Sequence, residues 1–220
     1  MPDPRVIIGI LEQMPMLETL SLSVSEIVVS EQLIMPSLWN LIMTFSESES
    51  VSVDNHLRTF MCPSLVSFPL HTAGNWTREV FEILKRQYNM QELRKVKIGG
   101  SVALPVSSLL RDAPMLHSLS LGWDAIMDDE AVIGISNGTL GRFLKKLAFS
   151  IFCDVGEVLD IVEARKKTVD GLLENWCSWK EEITVLKDIT ITVSAGQHII
   201  DGYRERVIAL KEAGITITFS

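Results

Sequence analysis

Cysteine is scarce in this chain: three residues, Cys62, Cys153 and Cys177, with no close pair and no C-x-x-C. That odd count points away from a disulfide framework and from paired-cysteine zinc modules, and towards reduced, buried thiols. Histidine is also sparse, and His56, His71, His117 and His198 form neither an i, i+4 pair nor a metal-ligand spacing. Positive charge is in deficit, with Lys+Arg 20 against Asp+Glu 28 and a formal net charge of −8. Such a balance disfavours nucleic-acid binding through bulk positive charge. No stretch reaches eighteen uncharged apolar residues, because the most apolar one is bounded by Arg5 and Glu12, so no membrane span is expected. The same segment lacks the basic start and small-residue cleavage site of a secretory signal. Without an export signal, the glycosylation sequons at Asn75 and Asn137 read as chance matches. Gly99-Gly100 lacks the lysine or third glycine of a phosphate loop. These absences lead to the expectation of an intracellular chain, cytoplasmic or nuclear, with no cofactor, no nucleic acid and no membrane among its partners.

What the chain does have is a recurring hexapeptide, Leu-x-x-Leu-x-Leu. It runs through Leu17/Leu20/Leu22, Leu38/Leu41/Met43, Leu65/Phe68/Leu70, Leu93/Val96/Ile98, Leu116/Leu119/Leu121, Leu144/Leu147/Phe149 and Leu186/Ile189/Ile191. A half-match at Ile215-x-Ile217-x-Phe219 closes it. The first leucines step by 21, 27, 28, 23, 28 and 42 residues, and all but the last fall in the range of leucine-rich repeats. Alternate strand residues face opposite sides, so the second and third apolar positions of each copy point into one core. No copy can bury that edge alone, and stacked copies make a continuous parallel sheet. The expected fold is therefore α/β: a leucine-rich-repeat solenoid, or horseshoe, with a parallel sheet on the concave face and helices on the convex face. A single domain over 1–220 is expected, with strands near 17–22, 38–43, 65–70, 93–98, 116–121, 144–149, 186–193 and 215–219.

The segments between copies read as returning helices. Asp3 and Pro4 suit a helix start ended by Pro15, Thr77 could cap a helix over Arg78–Tyr88, and Pro105 opens Val106–Asp112. Pro15, Pro36, Pro63 and Pro114 are read as a recurring helix stop. The 42-residue step holds two apolar helical patterns, Val155 to Val162 and Val169 to Trp176 with Trp179 beyond, and predicts a two-helix insertion over about 154–181. A last helix from about Ile199 to Ala213 ends at Gly214 with a polar outer side. The first helix is apolar nearly all round, which leads to the expectation that residues precede Met1 in the natural protein or that a partner covers this edge. Asp128-Asp129-Glu130 and the serine stretch around Glu47 and Glu49 read as solvated loops, and Trp176 and Trp179 as core.

The phrase from Leu110 to Leu121, LRDAPMLHSLSL, resembles the repeat phrase of leucine-rich-repeat F-box proteins, particularly the large set of mushroom-forming fungi. The tail from Val162 to Ile215 resembles the same family. The resemblance implies a non-catalytic protein–protein interaction module, the substrate-recognition repeats of an SCF-type ubiquitin ligase. A ligase adaptor is implied as a partner only where an F-box stands upstream. Sixteen residues before Leu17 are too few for one, so this chain is expected to lack it. The family's repeats commonly carry Asn or Cys after the strand; here stand Ser25, Ser46, Ala73, Ser101, Asp124 and Phe152, which predicts irregular turns. A stand-alone recognition or scaffold protein unconnected to ubiquitin is the alternative.

One enzyme signature needs weighing. Gly134-Ile135-Ser136-Asn137-Gly138 matches G-x-S-x-G, the nucleophile elbow of serine hydrolases, with Asp154, Asp160 and His198 downstream. No helix is expected after it, since Thr139 to Phe143 contains Gly141 and leads into the strand at Leu144. The stretch is read as a convex loop, and a hydrolase at Ser136 stays a remote alternative. A stronger signal lies at the x positions of the repeats, which line the concave surface of such solenoids. Charged residues there are Arg94, Lys95, Lys97, Lys145, Lys146 and Lys187 against Glu18 and Asp188, while the first strands offer Trp39, Ile42 and Val66. The candidate partner-binding residues are therefore Trp39, Ile42, Arg94, Lys95, Lys97, His117, Lys145 and Lys146, and the expected partner is a protein with an acidic or phosphorylated segment.

Overall fold

The structure is a computed structural model that describes residues 4–24, 32–45, 53–71, 78–99, 105–122, 127–151, 154–174, 183–193 and 201–219. The chain runs α1 (Pro4–Glu12), β1 (Thr19–Val24), β2 (Leu33–Ile34), β3 (Asn40–Phe45), α2 (Val53–Thr59), β4 (Phe60–Met61) and β5 (Ser67–His71). It continues through α3 (Arg78–Gln87), a 3-10 turn (Met90–Glu92), β6 (Lys95–Ile98), α4 (Val106–Asp112), β7 (Ser118–Leu121) and α5 (Asp129–Asn137). The last elements are β8 (Lys146–Ile151), α6 (Val155–Glu174), β9 (Asp188–Val193), α7 (Arg204–Glu212) and β10 (Thr216–Phe219). Eight strands form one sheet in the order β1-β3-β5-β6-β7-β8-β9-β10, every neighbouring pair parallel. The order follows the sequence, and the sheet does not close on itself. The molecule is thus α/β, with a parallel sheet and a helix in most of the returns.

Register places equivalent apolar residues side by side: Val96 beside Phe68 and Leu119, then Leu147, Ile189 and Ile217. All are at most 4% exposed. They share one hydrophobic cluster with Val80, Leu84, Leu109, Leu110, Ile135 and Leu159 from the helices. Two-residue alternation in the strands and 3.6-residue alternation in the helices therefore meet along one interface.

The strands begin two residues later than the hexapeptides do, at Asn40 rather than Leu38 and at Lys146 rather than Leu144. The first leucine of six of the seven copies closes a turn instead. The N–H groups of Leu17, Leu38, Leu65, Leu93, Leu116 and Leu144 each donate to the carbonyl three residues back, at 2.9–3.3 Å. This corrects the role of the prolines. Pro15, Pro36, Pro63 and Pro114 occupy the second position of these four-residue turns, where a fixed φ near −65° is already right. Only α1 and α4 precede such a turn; before Pro36 and Pro63 the chain is extended, as β2 and β4. Residues before proline favour extended backbone, and these two short strands pair in parallel as a second ladder that Cys62 and Tyr88 prolong.

Three other expectations change. One continuous 20-residue helix, α6, runs to Glu174 through the first apolar pattern and into the second, where the sequence predicts two helices, with the remainder of that insertion, 175–181, outside the described residues. Its apolar spacing runs through Ala164-Arg165-Lys166 without a breaker, so nothing divides it. The acidic run is not a loop: Asp128 caps α5, its Oδ1 accepting the Ala131 N–H at 2.9 Å, and Asp129 and Glu130 form the first turn, where the helix dipole favours them. Nor is Gly134–Asn137 a convex loop, because it forms the last turn of α5, closed by Gly138 at φ +81°. The last helix runs Arg204–Glu212 rather than from about Ile199, because a turn at Tyr203 precedes it, and Gly214 follows it at φ +81°. At the other end α1 buries Ile8 and Leu11 but leaves Val6 and Ile10 more than half exposed.

Asp3, Thr77, Gly100, Cys153, Trp176, Trp179, Cys177, His198, Asn75 and the Glu47/Glu49 stretch lie outside the described residues, as do Ser25, Ser46, Ala73, Ser101, Asp124 and Phe152.

Candidate partner-binding face

The sheet face opposite the core carries the x positions, and register sets them in rows. One row runs Thr19, Asn40, Ser67, Lys95, Ser118, Lys146, Asp188, Thr216. The next holds Ser21 and Ile42 on the first strands, then Pro69, Lys97, Ser120, Ala148, Thr190 and Thr218. Apart from Ser67 and Pro69 these side chains are half-buried or exposed. In front of both rows lies a rim at the strand starts: Glu18, Trp39, Val66, Arg94, His117, Lys145 and Lys187. The carbonyl of each accepts from the next strand, usually two N–H groups at once, as the His117 carbonyl does from Lys145 and Lys146 at 2.9 and 3.0 Å. At Arg94 and Lys95 two successive side chains are exposed where the doubled bond meets the strand start.

All eight candidate residues therefore stand on one face or its rim: Trp39, Ile42, Arg94, Lys95, Lys97, His117, Lys145 and Lys146. The structure differentiates them. Lys146 Nζ pairs with Asp188 Oδ2 at 2.9 Å, and both side chains are well exposed, so the pair contributes ~0.2–1 kcal/mol. Trp39 is 44% exposed, and its indole N–H donates to Glu18 Oε2 at 3.3 Å. Lys95 and Lys97 face Ser67 and Pro69 on one side and Ser118 and Ser120 on the other, with no carboxylate in register. His71 ends β5 on this side. Its pKa lies below the ordinary imidazole value, first through partial burial and then through the nearby Lys97 cation.

Some contributors were not singled out by the repeat reading. The His117 ring stacks on Phe143 (6.1 Å between centroids, 14°), and the Arg142 guanidinium lies over the same ring at 5.3 Å. His117 Nδ1–H donates to the Met115 carbonyl at 2.7 Å, which fixes the ring. Beneath this stack lies Arg165 of α6, fully buried. Its guanidinium donates to the carbonyls of Thr184 (2.9 Å), Ile135 (3.0 Å), Gly141 (2.9 Å) and Arg142 (2.8 Å). Burial lowers its pKa to about 10, which still leaves it charged at neutral pH. Its signal was present in the sequence, since Arg165 sits three residues after Val162 and four before Val169, on the apolar stripe.

Arg165 also accounts for part of G-x-S-x-G. A Cβ on Gly138 would meet Ile183 Cδ1 at 2.7 Å and Arg165 Nη1 at 2.9 Å; one on Gly134 would meet Leu140 Cγ at 2.6 Å. Both glycines thus have packing reasons. Ser136 itself sits within a helix rather than on a strand-to-helix turn. Among the described residues no group of three or more His, Cys, Asp or Glu could hold a metal ion, and no helix is long and apolar enough to cross a membrane. Cys62 is fully buried beside Tyr88, and burial pushes its thiol up to about 12. On the helical side a groove of about 420 Å³ lies between α3 and α4, where Lys85 pairs with Asp112 at 3.0 Å and Arg111 with Glu130. Set against family models, curated proteins and solved structures, the chain has no match.

Proposed function

We propose that this chain is a leucine-rich-repeat solenoid, a single domain with its sheet on the concave face, that acts as a non-catalytic protein-interaction module. One observation carries the reading: eight parallel strands stacked in chain order, with one face packed by apolar residues and the side chains of the opposite face, Ser67 and Pro69 apart, half-buried or exposed among the described residues. Repeats stacked this way use the uncovered sheet as a recognition surface, since it is rigid and its side chains are free of packing duties. The polar, lysine-rich face fits a protein partner. The resemblance to F-box repeats would make the bound protein a substrate of a ubiquitin ligase in a cytoplasmic or nuclear setting, with a ligase adaptor as a partner only where an F-box stands upstream; a stand-alone recognition or scaffold protein unconnected to ubiquitin is the alternative.

Site-specific photocrosslinking tests the face. A benzophenone side chain at Ser120, half-buried on the open sheet, should capture a protein from a cell extract; the same group at Ile133, 62% exposed on the helical side, should not. Capture from Ile133 alone would overturn the assignment. Labelling of Ser136 by a serine-reactive phosphonate would restore the enzyme reading.

A further inference from the structure

We propose that the open face takes an extended acidic segment in one defined placement, with an apolar residue on Trp39 and its carboxylates on Lys95 and Lys97, about three residues apart. The inference rests on the reading of this face as the binding surface, and adds to it the chemistry, the position and the direction of the ligand. Cations are not spread evenly over the sheet. Arg94 on the rim and Lys95 and Lys97 on β6 stand close together, all exposed. Their in-register neighbours are the short uncharged Ser67, Pro69, Ser118 and Ser120, which neither neutralise nor cover them. On β8, Lys146 is already held by Asp188. Lys145, Lys146 and Lys187 stand around Asp188, whereas no carboxylate is in register with Lys95 or Lys97, so an anion meets less competing negative charge over β6.

The apolar part of the face lies on β3, where Trp39 leads the strand and Ile42 is half-exposed. Glu18 sits on its far side, bonded to the indole N–H. A carboxylate running from Trp39 towards β1 would meet that like charge; one running towards β6 meets three cations. Direction is set by this asymmetry. Two strand spacings separate β3 from β6 across β5, about 10 Å, and an extended chain covers that distance in about three residues. A long polyanion fits less well, because Glu18 and Asp188 stand at its two ends and the whole chain carries −8.

The probe is a fluorescein-labelled ten-residue peptide with one tryptophan and, three residues on, two consecutive glutamates, read by anisotropy against the full chain. Binding should weaken about tenfold with Lys95→Glu/Lys97→Glu and with Trp39→Ala, and when the spacing is cut to one residue or stretched to six. A peptide with lysines for the glutamates should regain binding on the Lys95→Glu/Lys97→Glu variant. These side chains are exposed, and unchanged melting curves would establish that the variants fold. Equal binding at every spacing, no binding, or capture of single-stranded RNA or anionic vesicles by the same lysines in place of the peptide would overturn the proposal. A protein captured at Ser120 through a segment without this pattern would defeat the placement and leave the binding face standing. Loss of capture at Ser120 would defeat the face itself.

Discussion

Replacing Arg165 with methionine should destabilise the chain more than any change on its exposed surface. The side chain is fully buried and serves four backbone carbonyls with no carboxylate among its hydrogen-bond acceptors. Two of those carbonyls have a second donor: Gly141 accepts from Leu144 N–H at 2.9 Å, and Arg142 from Thr184 N–H at 2.8 Å. The Ile135 carbonyl, near the C-terminal end of α5, and the Thr184 carbonyl depend on the guanidinium among the described residues. A buried group left without a partner costs ~1–3 kcal/mol, so two orphaned carbonyls predict ~2–6 kcal/mol. The opposing effect is relief from burying a cation, which can make replacement of a whole buried ion pair neutral or better. Here only one side is removed and the carbonyls stay, so the orphaning dominates.

In a thermal melt ~3 kcal/mol corresponds to a fall of about 6–12 °C for a chain of this size. Lysine should rescue only part of the loss, since one ammonium cannot reproduce a planar fork over four acceptors. Hydrogen exchange adds a local signature: the Leu144 and Thr184 amides, which close the turn beneath Phe143, should lose protection before the β6 amides do. A methionine variant that melted at or above the temperature of the natural chain would refute the assignment of Arg165 as the strut of this region.

Leu119, 1% exposed at the centre of the core row, should tolerate aspartate at a cost of about 3–5 kcal/mol, and an unchanged urea midpoint would show that the core row is misplaced. The Asp128 carboxylate accepts from Ala131 N–H at 2.9 Å and from Ser107 N–H at 3.1 Å, so it joins the starts of α5 and α4; Asp128→Ala should cost ~1–2 kcal/mol. Desolvation pushes its pKa up, but the bonds from Ser107 and Ala131 outweigh it and the net shift is down. A carboxylate depressed in the folded state stabilises above its unfolded pKa and loses that contribution as pH falls through the folded one. The gap between natural and alanine chains should thus close below the ordinary carboxylate range, and a gap that persisted there would contradict the capping role. Cys62, with its thiol at about 12, should resist a maleimide at pH 8 in a Cys153→Ser/Cys177→Ser background and react once unfolded; fast native labelling would mean the second ladder opens readily.

Much of this architecture could be read from residue order because its information is local. A period-two alternation inside each hexapeptide and a return at a similar spacing are enough to require parallel strands with one buried face. Helix positions such as Val106–Asp112 followed from capping and spacing within a single turn. The same locality explains the errors. Pro36 and Pro63 look like helix stops when only a helix is expected before them, yet Phe60, Met61 and Cys62 are equally content extended, and pairing with a neighbouring copy settles it. The stretch from Gly134 to Gly138 looks like a loop because the packing reason for each glycine, Leu140 or Ile183 and Arg165, arrives from elsewhere in the chain.

For the open face, the sequence by itself determined which strand residues share a side, since strand parity leaves no choice once the core is known; the rim residues, such as Arg94 beside Lys95, fall outside that parity. Tertiary structure alone decided which of them remain available. Lys146 meets Asp188 42 residues away because two strands lie in register, Glu18 meets Trp39 across another pair, and Arg165 reaches four carbonyls from three separate segments. Such pairings depend on distances between strands and helices that no local pattern encodes, and they single out the cations of β6 from the rest.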